Sequence, residues 1–176
     1  NLEAHRAGMR WNACKDHVFV SVRFRQTIMF KLILVAIDGS EIGHRALEEA
    51  LAVARSMKAA LHAVHVVQTE TYPTLMLNEL EPPDLARQAV LDSLEREADE
   101  ILAEAERQAA ASGVRMTVHK RRGHPGAEIT ALAQELNADL TVIGSHGRGR
   151  IDRFILGSVS SYVVDHATST VMVVRS

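Results

Sequence analysis

"KLILVAIDGS", residues 31–40, decides the fold: Leu32 to Ile37 are all apolar, and Asp38-Gly39-Ser40 follows at once. An apolar run with no polar alternation suits a strand covered on both faces, the situation of a parallel sheet packed between helices. Ser40 stands where a side chain can cap a helix. Ile42, Ala46, Ala50, Val53, Ala54 and Met57 then recur at helical spacing. The first unit therefore reads strand, tight turn, helix.

The same alternation continues toward the C-terminus. "ALHAVHVV" (60–67), "VRMTVHK" (114–120), "LTVIG" (140–144) and "TVMVV" (170–174) read as four further strands. Between the second and third lies a helical pattern over 84–111, with Leu91, Leu94, Ala98, Ile101, Leu102 and Ala105 on one side and Ala-Ser-Gly (111–113) at its end. Ile129, Leu132, Ala133 and Leu136 mark a third helix, and Val159, Tyr162, Val163 and His166 a short fourth. Residues 68–83, with Pro73, Pro82 and Pro83, form a loop long enough to suggest a lid or a partner surface. Parallel strands need crossover connections, so the expected class is α/β, a doubly wound five-stranded parallel sheet with helices on both faces. With strands one and four as central neighbours the order is 3-2-1-4-5. Its ligand crevice then lies outside the ends of strands one and four, where the winding reverses.

Composition bounds the rest. A chain of 176 residues, 47% hydrophobic and 24% charged, suits one globular domain. A net charge of −2 gives no reason to expect nucleic acid or a membrane surface as partner. The single cysteine, Cys14, excludes an intramolecular disulfide. No apolar run reaches the roughly 18 residues of a transmembrane helix, so a cytoplasmic location is expected. Residues 1–30 differ from the remainder: they hold Arg6, Arg10, Lys15, Arg23 and Arg25 against Glu3 and Asp16, with the only Trp and three of the four Phe. Two readings stand for them, an N-terminal extension over 1–29 outside a domain of 30–176, or an added edge strand at Val18–Phe24.

The predicted crevice meets a second unusual stretch, "GSHGRGRIDRFILGS" (144–158), which holds four of the ten glycines. Gly144 ends a buried strand and would let a flat group lie against the backbone. Gly147 and Gly149 can take positive φ and turn successive N–H groups inward as an anion nest. Gly157-Ser158 opens a helix whose N-terminus favours phosphate, and Ser158 and Ser160 add hydroxyl donors. A nucleotide fits this chemistry. A plain glycine-rich turn with solvated arginines also fits it. The stretch is neither a Walker A loop nor G-x-G-x-x-G, because Asp152 stands where the latter needs its last glycine.

The spacing G-x2-G-x9-G-S, the opening "ILVAIDGS" and the "HVV" closing strand two together resemble the universal stress protein family, over about 30–175. That resemblance implies an adenine-nucleotide-binding domain. It implies that Asp38 lies near the ribose or a metal-linked phosphate, and that backbone around Val66 meets the adenine. Gly144 and Gly147 would line the ribose and phosphate region, and Gly157 and Ser158 would hold phosphates. Ser40 faces the site by the same analogy, beside its plain capping role. The candidate nucleotide-binding set is Ala36, Asp38, Ser40, Val66, Gly144, His146, Gly147, Arg148, Gly149, Gly157, Ser158, Val159 and Ser160. ATP, or another adenine nucleotide, with Mg2+ is the implied cofactor, and Asp38 is the one evident carboxylate toward the metal. The resemblance also implies a homodimer through the last strand, 170–175.

The remaining histidines form no metal-ligand pattern: His62 and His65, three apart in a strand, point to opposite faces. His119, His124, His146 and His166 show no ligand spacing with one another or with Cys14. No nucleophile–base arrangement is legible. The expected function is thus a nucleotide-dependent switch or sensor in a stress response. The alternatives are a slow ATP hydrolase and a nucleotide-independent dimeric scaffold.

Overall fold

A computed structural model describes residues 30–68, 84–147 and 156–175. Five strands, β1 (Leu32–Ala36), β2 (Ala60–Val67), β3 (Met116–Arg122), β4 (Leu140–Gly144) and β5 (Thr170–Val174), form one sheet of order β3-β2-β1-β4-β5. Every neighbouring pair is parallel. The helices are α1 (Glu41–Met57), α2 (Asp84–Ala111), α3 (Pro125–Glu135) and α4 (Ser158–His166). The expected doubly wound order is what the chain adopts.

Alternation along the strands divides the core in two. Ile33, Val35, Leu61, Ala63, Leu140 and Val142 pack with Ala46, Leu47, Ala50 and Ala54 of α1 and with Leu102, Ala105 and Ala109 of α2. Leu34, Ala36, Val64, Val66 and Ile143 face the other way, onto Ile129, Leu132 and Ala133 of α3 and Val163 of α4. Both faces are apolar, which is why β1 reads as a continuous apolar run.

Local chemistry sets the element ends. Ser40 Oγ accepts from the Gly43 amide at 3.0 Å and caps α1, as its position predicted. Helix α2 stops at Gly113, whose φ of 69° suits glycine, and the Val114 amide returns to Ala109 O. That return shifts β3. The sequence placed the third strand at 114–120, but Val114 belongs to the helix-closing turn and packs on the core from there. The strand instead runs on through Arg121 and Arg122, residues that resemble a loop only in isolation. Lys120 pairs with Glu95 and Asp99 of α2, Arg122 with Glu95, and Arg121 with Glu135 of α3. These ion pairs fasten an edge strand to a helix on each face and keep its flank charged.

The structure also joins two histidines that their 57-residue separation concealed. His62 Nδ1 and His119 Nε2 lie 2.8 Å apart, and their rings stack. The register pairs His62 with Thr117, so His119 is its diagonal neighbour on the same face of the sheet. Burial holds both imidazoles below their ordinary pKa; at His119 the charges of His62 and Arg121 push the same way, while Glu135 opposes them. The folded chain therefore binds fewer protons here than the unfolded chain. Stability should be complete above about pH 6.5 and fall as pH drops below that value. The urea midpoint is expected to be lower at pH 5.0 than at pH 7.5, with a smaller drop in a His62→Gln/His119→Gln variant. An equal drop in both proteins would assign the acid sensitivity elsewhere.

Among the described residues, no helix is long and apolar enough to cross a membrane.

Candidate functional site

A cavity of about 690 Å³ opens where the winding reverses, above the C-terminal ends of β1, β2 and β4. Ten of the thirteen predicted residues line it: Ala36, Asp38, Val66, Gly144, His146, Gly147, Gly157, Ser158, Val159 and Ser160. Ser40 does not line the cavity, and acts on it through Asp38. Arg148 and Gly149 lie outside the described residues, as does the 69–83 part of the expected lid.

Asp38 is held rigidly. Its Oδ1 accepts from the Ser40 amide at 2.9 Å and from Ser40 Oγ at 2.6 Å. The peptide before it is fixed from β2, because Ile37 N donates to Val64 O at 3.0 Å and His65 Nδ1–H donates to Ile37 O at 2.9 Å. Two glycines clear space for the carboxylate. A Cβ on Gly43 would come within 2.5 Å of Oδ1, and one on Gly147 within 2.7 Å of Oδ2.

These distances revise the reading of Gly147 and add a second task for Gly144. Gly147 does not take positive φ; its missing side chain makes room for Asp38. At Gly144 a Cβ would meet Ile42 Cγ2 at 2.6 Å, so this glycine lets the first turn of α1 close against β4. The absent Cβ there serves helix packing, a need the sequence pattern cannot display.

Ser145 was missed, and it organises the stretch. Its amide donates to Val174 O at 2.7 Å, extending the β4–β5 ladder, while its carbonyl accepts from Gly157 N at 2.7 Å and from Ser160 Oγ at 2.8 Å. The two stems of the stretch are thereby clasped. Ser160, 2% exposed, also reaches Gly157 O at 3.0 Å, giving its hydroxyl a clasping task besides its place on the wall. Ser145 Oγ lies 2.9 Å from His146 Nδ1 and orients that ring at the cavity edge.

At the far stem Gly157 begins α4 with no side-chain cap on the helix. The leading N–H groups thus belong to Ser158, Val159 and Ser160, all on the cavity wall. Uncapped amides and the positive end of the helix make this end of the cavity suited to an anion. The rest of the lining is apolar for the most part: Ala36, Val66 and Leu94, with Pro125 and Ile129 from α3. His65, Gln68 and Glu97 supply its polar groups. Contributions from α2 and α3 escaped the sequence reading because a helix face pointed at the sheet reads the same whether it meets core or cavity. Among the described residues no group of three or more His, Cys, Asp or Glu is placed to hold a metal ion.

A sequence model of the universal stress protein family matches residues 29–175. The chain belongs to the universal stress protein family. Universal stress protein YxiE of Bacillus subtilis is 33% identical over 148 residues, spanning 84% of this chain and all of that protein. The structure of universal stress protein UspA from Lactobacillus plantarum superposes with a TM-score of 0.74 at 29% identity, covering 85% of this chain and 100% of the other. A universal stress protein solved in complex with cAMP matches with a TM-score of 0.62 at 25% identity, over 84% of this chain and 99% of that one.

Proposed function

We propose that the cavity binds an adenine nucleotide, with ATP as the working ligand, and that binding switches a stress-response regulator acting in the cytoplasm. The observation that carries this reading is that the uncapped start of α4 and the Asp38 carboxylate line one cavity whose remaining lining is largely apolar. Such a site separates an anion end from a face for a flat ring. The cAMP complex of a family member supports a nucleotide of this class. Phosphates would lie on the amides of Ser158 and Val159, the ribose near Asp38, and the base against Ala36 and Val66.

A magnesium ion accompanying a triphosphate commonly keeps several waters and takes one or two carboxylates. Asp38 fits a limited part in that arrangement: Oδ1 is engaged by Ser40, which leaves Oδ2 as the oxygen turned to the site. The binding unit is residues 30–176, with 1–29 outside it. Two copies would pair along β5, which among the described residues has β4 on one side only and carries half-buried Val171, Met172 and Val173.

Isothermal titration of the full chain with ATP tests the reading, and saturable binding with one site per chain is expected. Absence of binding to ATP, AMP and cAMP would leave a scaffold role in its place. Sedimentation of a monomer alone at tens of micromolar would remove the β5 pairing.

A further inference from the structure

We infer that His62 and His119 form a chelating site for a divalent transition-metal ion, copper(II) before the others, on the sheet face that carries α3. The site is independent of the cavity, whose lining includes neither histidine. His62 lies on β2 and His119 on β3, and the ladder between these strands runs from Leu61↔Met116 to Val67↔Arg122. Val64 is the partner of His119 and packs toward α3, so both imidazoles stand on that face. The ladder fixes the two backbones relative to each other. Both rings are half-buried, at a sheet margin that an ion can reach from solvent.

Distance selects the ion. His62 Nδ1 and His119 Nε2 are 2.8 Å apart, on rings whose planes differ by 16°. With metal–nitrogen bonds of about 2.0–2.1 Å, two nitrogens lie about 2.9 Å apart at a right angle and about 3.4 Å apart at the tetrahedral angle. The observed separation is that of neighbouring positions in a square-planar or tetragonal site. Copper(II) and nickel(II) adopt that arrangement, and copper(II) binds the more tightly of the two. Without an ion, one hydrogen lies between the nitrogens as N–H···N. To take up an ion, the donor ring carries that hydrogen on its outer nitrogen instead. Both rings then turn about their Cβ–Cγ bonds, a soft torsion, until the two lone pairs meet at the metal. No proton is lost in the exchange. Ligation needs neutral imidazoles, the form that burial favours in both rings. Of the charges felt at His119, Arg121 is paired with Glu135, so the cation meets a balanced pair and not a bare guanidinium. Among the described residues no third His, Cys, Asp or Glu joins the two rings. Water therefore fills the other positions, and the bound ion is exchangeable.

Titration of the full chain with copper(II) chloride, followed by calorimetry and pulsed electron paramagnetic resonance, tests the assignment. One ion with two equatorial imidazole nitrogens is expected at this site. His62→Gln or His119→Gln alone should weaken binding by about 100-fold, the scale of the gain when a second ligand on the same frame closes a chelate. The chain holds nine histidines, so the comparison with His62→Gln/His119→Gln is decisive. Equal affinity and an unchanged nitrogen signature in that protein would overturn the assignment and leave adventitious binding elsewhere. A single equatorial imidazole in the parent, or zinc(II) bound more tightly than copper(II), would overturn the right-angle chelate. Amide spectra of the parent supply a measure that needs no variant. Substoichiometric copper(II) should broaden first the signals of residues 61–63 and 118–120, and broadening centred elsewhere counts against the pair.

Discussion

Gly43→Ala is expected to lower the urea midpoint and to weaken ATP binding by at least about tenfold, although alanine is the better helix former. Glycine inside a helix costs about 0.5–1 kcal/mol relative to alanine, so propensity alone predicts stabilisation. The structure reverses that sign. An added Cβ would lie 2.5 Å from Asp38 Oδ1 and 3.3 Å from both Asp38 N and Ser40 Oγ. Relief requires moving the carboxylate away from its two hydrogen bonds to Ser40. Hydrogen bonds to a charged group contribute about 1.5–3 kcal/mol, and overpacking costs typically about 1–3 kcal/mol. Either term outweighs the propensity gain. For stability, Gly157→Ala is the control, because its Cβ would meet atoms no nearer than 3.4 Å and its φ of −67° is open to any residue. A Gly43→Ala protein as stable as the parent, with unchanged ATP affinity, would show that Asp38 has no need of the seat described here.

Ser158→Asp is expected to separate stability from binding. Ser158 is exposed and is the first residue of α4, where a carboxylate meets the positive end of the helix. The substitution should leave the melting temperature unchanged or raise it, since a charge of this sign at a helix start contributes about 0.3–1 kcal/mol. The same carboxylate occupies the amides assigned to phosphate and repels a polyanion. Affinity for ATP should fall by about 100-fold, a coupling of some 2.7 kcal/mol. Measuring both quantities matters: a loss of binding with a lower melting temperature would signal damage to α4, and retained binding would move the phosphates to another part of the cavity.

Much of this architecture was legible in the chain. The largely apolar runs at 60–67, 140–144 and 170–174 coincide with β2, β4 and β5, because short segments of this kind suit the strands of a parallel sheet covered by helices. Its order followed from placing the two loop-bearing strands side by side. The edge strand β3 was legible only in part: its last residues are cations whose partners stand on two helices distant in sequence. The site shows the same division. Residues spaced regularly along the glycine stretch were found, while Gly43, Ser145 and Glu97 were not. Each of the three acts across an element boundary, on Asp38, on Gly157 and on the cavity wall, and a one-dimensional pattern holds no record of those meetings. Even the glycines that were found have a physical reason that the spacing does not display, since Gly144 and Gly147 also leave room for Ile42 and Asp38.

The clasp between Ser145 and Gly157 has a consequence for how the intervening stretch can vary. Its ends are joined by a 2.7 Å hydrogen bond and a hydroxyl contact from Ser160, a direct tie between the end of β4 and the start of α4. Lengthening a segment closed in this way costs only loop entropy, about 0.6 kcal/mol for each doubling. Insertions beyond Gly147, whose missing side chain seats Asp38, are expected to cost the fold little and to register chiefly in ligand affinity.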